Sequence, residues 1–295
     1  FNPWIGCTKI SDACDFCYAE DWSKRYGRAQ WGHHPRQRTS ATTWAQPLKW
    51  NREARESGKP RFVFCASLAD VFDNQVPDVW RADLWSLIRE CDSLTWLLLT
   101  KRPQNIAKML PADWGIGWKH VWLGTTVEHQ EAADRNIPAL LSVPAEKRFL
   151  SCEPLLGPID LEHIGNALFD RKAAIRRCMN GPAAMNWDQA DAYIAHPEID
   201  WVIAGGESGP NARPSHPDWF RSLRDQCKAA DVPFLFKQWG EWSPGYAEHG
   251  NDLEYGQICE APQSGWPEGH CSFRVGKKRA GRALDGITHD GRPTP

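Results

Sequence analysis

Residues Thr95–Thr125 read TWLLLTKRPQNIAKMLPADWGIGWKHVWLGT. The apolar run Thr95–Thr100 ends on Thr100-Lys101-Arg102. A helix-like stretch follows over Arg102–Leu110, with Pro103 near its first turn, where a missing backbone donor is tolerated. A second apolar run, Val121–Thr125, closes the segment. Short, uninterrupted apolar runs suit strands covered on both faces, as in a parallel sheet. A strand, a helix and a second parallel strand form a crossover of right-handed sense.

Working outward, the same alternation repeats. Strand-like runs stand at Arg61–Ala66, Arg148–Cys152, Asp200–Ala204 and Pro233–Lys237. Helical patterns separate them at Val76–Cys91, Glu128–Leu141 and Pro217–Ala230. The first of these sets Val79, Trp80, Leu84, Leu87, Ile88 and Cys91 at helical spacing, and the last aligns Phe220, Leu223 and Cys227. Nearer the start, short helices are expected over Ala19–Tyr26 and Trp44–Arg55, around an irregular basic loop, Gly27–Thr43. A further strand is expected before residue 1 or within Asn2–Gly6.

The expected fold class is therefore α/β, a partial (open) TIM-type barrel of about six to seven parallel strands, with a doubly wound open sheet as the alternative. Residues 1–239 form the barrel, with a helical insertion over 160–199 that Gly181-Pro182 breaks. Residues 240–295, rich in Gly, Pro and Trp, read as a loop-rich C-terminal cap packed on the barrel.

Composition narrows the class further. Hydrophobic residues make up 41% of the 295 and charged residues 24%, as in a globular chain. No apolar run approaches the roughly 18 residues of a membrane span, and no signal peptide is expected. A chain of this size with a full core does not need a disulfide scaffold. Cys65, Cys91, Cys152 and Cys227 therefore read as buried free thiols, and a reducing cytoplasm is the expected location. The net charge of −2 does not recruit nucleic acid as a whole. Lys24–Arg38 nevertheless holds five Lys or Arg residues, two His and no acid, and Arg274–Arg282 holds five basic residues and no acid.

Functional groups of such barrels gather at the carboxyl ends of the strands. There this chain places Ser67-Leu68-Ala69-Asp70, Thr100-Lys101-Arg102, Thr125-Thr126-Val127-Glu128, Ser151-Cys152-Glu153-Pro154, Gly205-Gly206-Glu207-Ser208-Gly209 and Lys237-Gln238-Trp239. A barrel built for stability alone has little use for charge at all six ends. For Glu153 and Glu207 the simpler reading is a salt bridge to Lys101 or Lys237. For Gly205-Gly206 it is a tight turn.

The chemistry-bearing stretch is Phe1–Glu20, FNPWIGCTKISDACDFCYAE. Cys7, Cys14 and Cys17 form a C-x6-C-x2-C pattern with Phe16 before the last cysteine, and no cysteine follows until Cys65. Three clustered thiolates without a fourth suit a metal centre with an open position, read as a [4Fe-4S] cluster whose fourth iron binds S-adenosylmethionine. A structural zinc site completed by a His or by Cys65 is the alternative. A single C-x2-C makes it the weaker one.

The segments NPWIGCTKIS, CDFCYAE, RQRTS, LLLTKRP, SCEPLLGP, WVIAGGESGP with ARP, FKQWGEW and KKRAGRALDG run nearly end to end. With them the chain resembles the phage-associated three-Cys-motif family of radical SAM-like proteins. Cys14-Asp15-Phe16-Cys17 matches the second half of the usual radical SAM motif, while the first gap is six residues instead of three. The resemblance implies that Cys7, Cys14 and Cys17 bind three irons and are the catalytic and metal-binding residues. It places Phe16 near the adenine, and makes Asp70, Thr126, Glu128, Glu153, Gly205, Gly206 and Glu207 candidate cofactor contacts. Arg36, Arg38, Lys101, Lys237 and Trp239 are candidate substrate contacts.

The implied reaction is one-electron cleavage of S-adenosylmethionine, followed by hydrogen abstraction from a substrate. Basic and aromatic segments point to DNA, RNA or a nucleotide as that substrate, for modification or repair. Flavodoxin or ferredoxin is the expected electron donor, and no membrane partner is expected. The alternatives are a nucleic-acid-binding module with a structural Fe–S or zinc site, and a radical enzyme acting on a peptide or small metabolite.

Overall fold

The computed structural model describes residues 1–165, 167–168, 180, 186, 199–246, 258–259 and 270–294. Most of the expected insertion over 160–199, including the Gly181-Pro182 break, lies outside the described residues. The chain divides into two compact units. One holds residues 1–126, 135–151 and 294–295, and the other holds 127–134 and 152–293.

Six parallel strands follow one another in the sheet in chain order: β3 Arg61–Cys65, β4 Leu94–Thr100, β5 Val121–Thr126, β6 Lys147–Cys152, β7 Trp201–Gly205 and β8 Phe234–Gln238. Each apolar run read from the sequence is a strand, with ends displaced by one residue at most. In the first unit Val63 pairs with Trp96 and Trp96 with Val121. Gly124 of β5 lies under the Phe149 ring, where a Cβ would stand 2.4 Å from ring carbons. Trp4, Phe72, Trp96, Trp122 and Phe149 are fully buried here.

The helices of this unit are α1 Tyr18–Arg25, α2 Ala41–Ser57, α3 Asp78–Glu90 and the one-turn α4 Ile106–Met109, and α5 is Gln130–Leu141. Helix α2 begins three residues before the expected Trp44, because the Ser40 hydroxyl caps it by accepting from the Thr43 amide. Val79, expected on the apolar face of α3, is 63% exposed, and Arg81 is buried instead, donating to the carbonyls of Val71 and Asp73. The strand expected within Asn2–Gly6 is β1 Trp4–Ile5. It pairs antiparallel with β2 Gln37–Arg38, inside the segment expected to be an irregular loop.

In the second unit β7 pairs with β8, Val202 opposite Phe234. Helix α6, Pro217–Ala230, buries Phe220, Leu223 and Cys227 as its spacing requires. The described part of 240–295 is more regular than a loop-rich cap. Strands β9 Trp242–Tyr246, β10 Ile258–Cys259 and β11 His270–Arg274 form an antiparallel sheet in the order β10-β11-β9, and Lys277–Ala280 forms the short α7. Among the described residues no helix is long and apolar enough to cross a membrane.

Asp285 tethers the end of the chain to α6. Its carboxylate accepts from Arg221 Nη2 at 2.7 Å and Arg224 Nη1 at 2.6 Å, and these two arginines hold its pKa down to about 2. A folded-state pKa below the unfolded value adds stability above the ordinary carboxylate range. That contribution disappears as pH falls through about 2. Asp285→Asn is therefore expected to unfold at lower urea than wild type at pH 7, by about 1 kcal/mol or less because the site is open to solvent. The gap narrows as the pH is lowered towards 2. Equal gaps at pH 7 and pH 3 in urea melts count against the tether.

Candidate functional site

The cysteine loop is laid down by contacts distant in sequence. The Gly6 amide donates to the Leu68 carbonyl at 3.0 Å, beside a parallel bridge from Gly6 to Ala69. The Gly32 amide donates to the Cys7 carbonyl at 2.9 Å. Gly6 adopts φ +112, a conformation side chains disfavour, and this turns the chain from β1 into the loop. Cys14 ends a 3-10 turn, Asp12–Cys14, with its sulfur 3.8 Å from the Ser11 hydroxyl. Cys17 occupies the cap position of α1, and the Glu20 and Asp21 amides donate to its carbonyl. Phe16 is 37% exposed.

Arg102 reaches this loop from the carboxyl end of β4. Its Nη1 donates to Cys7 Sγ at 3.5 Å and to Asp70 Oδ2 at 3.0 Å, and Nη2 donates to the Thr8 carbonyl at 2.7 Å. Asp70 is buried and fully engaged, accepting also from Thr100 Oγ1 at 2.8 Å, the Lys101 amide at 3.2 Å and the Phe72 amide at 2.9 Å. Burial, with the Asp70 carboxylate adding to it, pushes the Cys7 thiol up to about 11 against the opposing pull of Arg102. Burial also opposes the Arg102 charge, but Asp70 and Cys7 outweigh it and the pKa of Arg102 is raised.

Arg36 and Arg38, candidate substrate contacts, are both engaged in ion pairs. Arg36 Nε and Nη2 donate to Asp73 Oδ2 at 2.9 and 2.6 Å. Its remaining hydrogens go to the carbonyls of Gly32 and His34 and to Thr8 Oγ1. Arg38 donates to Asp83 at 2.7 Å and lies over the Trp44 ring at 4.3 Å. Lys101 is half-buried, and its Nζ meets a neutral partner, Thr126 Oγ1, at 3.3 Å.

The second unit carries the remaining candidates. Glu128 is 1% exposed, and its Oε1 has no hydrogen-bond partner among the described residues. Such an orphaned buried carboxylate oxygen requires an explanation. Glu153 is paired with Lys237, Nζ to Oε1 at 3.1 Å. Glu207 is held by Arg213 through both carboxylate oxygens, at 2.7 and 2.8 Å. A Cβ on Gly205 would stand 2.7 Å from Glu153 Oε1, and one on Gly206 would stand 1.9 Å from the Trp239 carbonyl oxygen. The close approach that Gly206 permits is thus to the backbone of the same chain. Trp239 is buried, edge-on to Phe220 and Phe236, with Nε1 donating to the Ala283 carbonyl. Two peptide bonds at strand ends, Cys65–Ala66 and Glu153–Pro154, are cis.

The buried thiols are as expected. Cys65, Cys91, Cys152 and Cys227 are free, and burial raises each pKa, Cys65 and Cys227 to about 12 and Cys91 to about 11. Arg102, one of the polar strand-end residues, carried no assigned role in the sequence. Its reach to Cys7 spans 95 positions, and no local pattern announces it.

Cys7, Cys14 and Cys17 are also free thiols. Among the described residues no three His, Cys, Asp or Glu side chains converge on a single metal ion. An iron–sulfur cube takes each thiolate on a different iron, so three free thiols on one loop fit it as a donor set. Against known proteins, residues 1–293 match one family model, described as Protein of unknown function (DUF5131). No curated protein and no solved structure matches the chain.

Proposed function

The chain belongs to the DUF5131 family, and on the chemistry of its cysteine loop we propose that it is a radical SAM-type enzyme holding a [4Fe-4S] cluster on Cys7, Cys14 and Cys17. The observation that carries the reading is the Cys7 environment, a half-buried free thiol with a fixed arginine donating to its sulfur. When bound, the cluster supplies one electron for reductive cleavage of a carbon–sulfur bond of S-adenosylmethionine, which leads to hydrogen abstraction from a substrate.

The chain's own residues position ligands and exclude water. Asp70 accepts from Arg102, Thr100 and two backbone amides, and its role in the reading is to orient the loop. We assign the orphaned Glu128 oxygen to a hydrogen-bond donor of a bound ligand, an amino group or a hydroxyl. Lys101, whose partner is a neutral hydroxyl, is assigned to an anionic ligand group, a carboxylate or a phosphate. The sequential parallel strands are read as an open TIM-type barrel with ligands at the carboxyl ends. Phosphates of a nucleic acid or nucleotide substrate would meet the exposed Arg25 and Arg28. The reading also includes a cytoplasmic location and a flavodoxin or ferredoxin donor.

The test is anaerobic reconstitution with iron and sulfide, followed by S-adenosylmethionine and dithionite. The expected products are 5′-deoxyadenosine and methionine, both lost in Cys7→Ser, Cys14→Ser and Cys17→Ser. An intact cluster without cleavage rejects the enzyme and leaves a binding module with a structural cluster. With an oligonucleotide as probe, binding should weaken steeply with salt, and salt-independent binding rejects the nucleic-acid substrate.

A further inference from the structure

We propose that Arg102 is a positioning residue that sets the reduction potential of the centre held by Cys7, with Asp70 as its counterweight. The inference rests on the iron–sulfur reading and goes beyond it by naming the lever this chain uses.

The geometry is specific. Arg102 is buried, and three neighbours from distant segments orient its guanidinium: Cys7 Sγ, Asp70 Oδ2 and the Thr8 carbonyl. Its own amide donates to Thr100 Oγ1 at 2.8 Å, so the backbone from which the side chain departs is also fixed. The three thiols of the loop are therefore unequal. Cys7 receives a charge-assisted donor, whereas Cys14 lies beside the neutral Ser11 hydroxyl.

Hydrogen bonds to ligating sulfurs and nearby charge are among the means by which a protein tunes an iron–sulfur centre. Adding one electron makes the centre more negative. A donor and a positive charge at one ligand sulfur stabilise that reduced form more than the oxidised form, and the potential rises. Asp70, 3.0 Å from the same Nη1, cancels much of the charge while leaving the hydrogen bond to sulfur in place. The two residues therefore pull in opposite directions. Loss of Arg102 lowers the potential. Loss of the Asp70 charge leaves Arg102 uncompensated and raises it.

The test is an anaerobic redox titration of the reconstituted full chain with dithionite, the one-electron reduced centre being followed by electron paramagnetic resonance. Wild type, Arg102→Gln, Arg102→Lys and Asp70→Asn are compared. At the poise where wild type is half reduced, Arg102→Gln should show a reduced-to-oxidised ratio about tenfold lower, or ~59 mV for a one-electron couple. Arg102→Lys should fall between it and wild type, and Asp70→Asn should shift the other way. A purely structural role changes iron content or unfolding and leaves the potential of the remaining cluster where it was. Should Arg102→Gln fail to fold, the opposite signs of Arg102→Lys and Asp70→Asn still decide the matter. Equal midpoints, or shifts of the same sign, overturn the inference while the cluster reading stands. A wild-type chain that takes up no cluster overturns both, and the wild-type sample alone reveals it.

Discussion

Asp73→Ala is expected to lower the unfolding free energy by about 3–5 kcal/mol, because it strands a buried guanidinium. Arg36 has five N–H donors and all five are used. Two go to Asp73, one to Thr8 Oγ1, and two to the carbonyls of Gly32 and His34. The side chain is closed to solvent, and that of Asp73 nearly so. One residue thus ties the cysteine loop, the basic loop and the turn after β3. Removing the carboxylate leaves a buried charge with only neutral partners, the Thr8 hydroxyl and two backbone carbonyls. The melting temperature should fall on the order of 10 °C. The double variant Arg36→Met with Asp73→Leu should recover part of the loss, since removing both partners spares the uncompensated charge. Recovery stays incomplete because three backbone and hydroxyl acceptors lose their donor. A single variant Asp73→Ala within 1 kcal/mol of wild type in urea melts would contradict this account.

Gly206→Ala should be at least as damaging in the second unit, and for a steric reason. Its added methyl would lie 1.9 Å from the Trp239 carbonyl oxygen and 2.6 Å from the carbonyl carbon. Gly240 presents the reciprocal contact, 2.0 Å from the Glu207 carbonyl oxygen, and adopts φ +81 besides. Neither obstacle is the end of a flexible side chain. The backbones beyond β7 and β8 would have to separate, breaking the Gly206 to Gln238 hydrogen bond. The cost should exceed the roughly 1–3 kcal/mol of ordinary core overpacking. Gly205→Ala is the control. Its methyl meets Glu153 Oε1 at 2.7 Å, and that carboxylate can swing away, leaving the fold intact and disturbing the contact with Lys237. Equal stability of Gly205→Ala and Gly206→Ala would remove the distinction.

The parallel strands were legible because each is a short apolar run bounded by polar residues, and a strand buried on both faces needs that pattern. Strand β2 was not, because Gln37 and Arg38 carry no apolar signal and pair with β1 over some thirty positions. In β9 and β11, Pro244 opposes Ser272 and Gly245 opposes Cys271, so the residues that usually mark turns lie inside strands. The partners of charged residues were hidden for a related reason. A basic cluster in sequence reveals charge but not what neutralises it. Arg36 finds Asp73 37 positions away, and Arg38 finds Asp83 45 positions away. The three cysteines were legible as free thiols on one short loop. The residue that touches one of them was not, since Arg102 arrives from another strand.

The chain order of the parallel strands bears on how the protein is made. Each strand can pair with its predecessor as it leaves the ribosome, so the sheet grows in one direction. The cysteine loop is the exception. It is synthesised before these strands, yet its contacts come from Gly32, Arg36, Leu68 and finally Arg102. Cys7 therefore has no Arg102 contact, and stays open to an iron–sulfur donor, until the end of β4 has been made. The order of synthesis itself provides an interval for loading the loop before the guanidinium closes over Cys7.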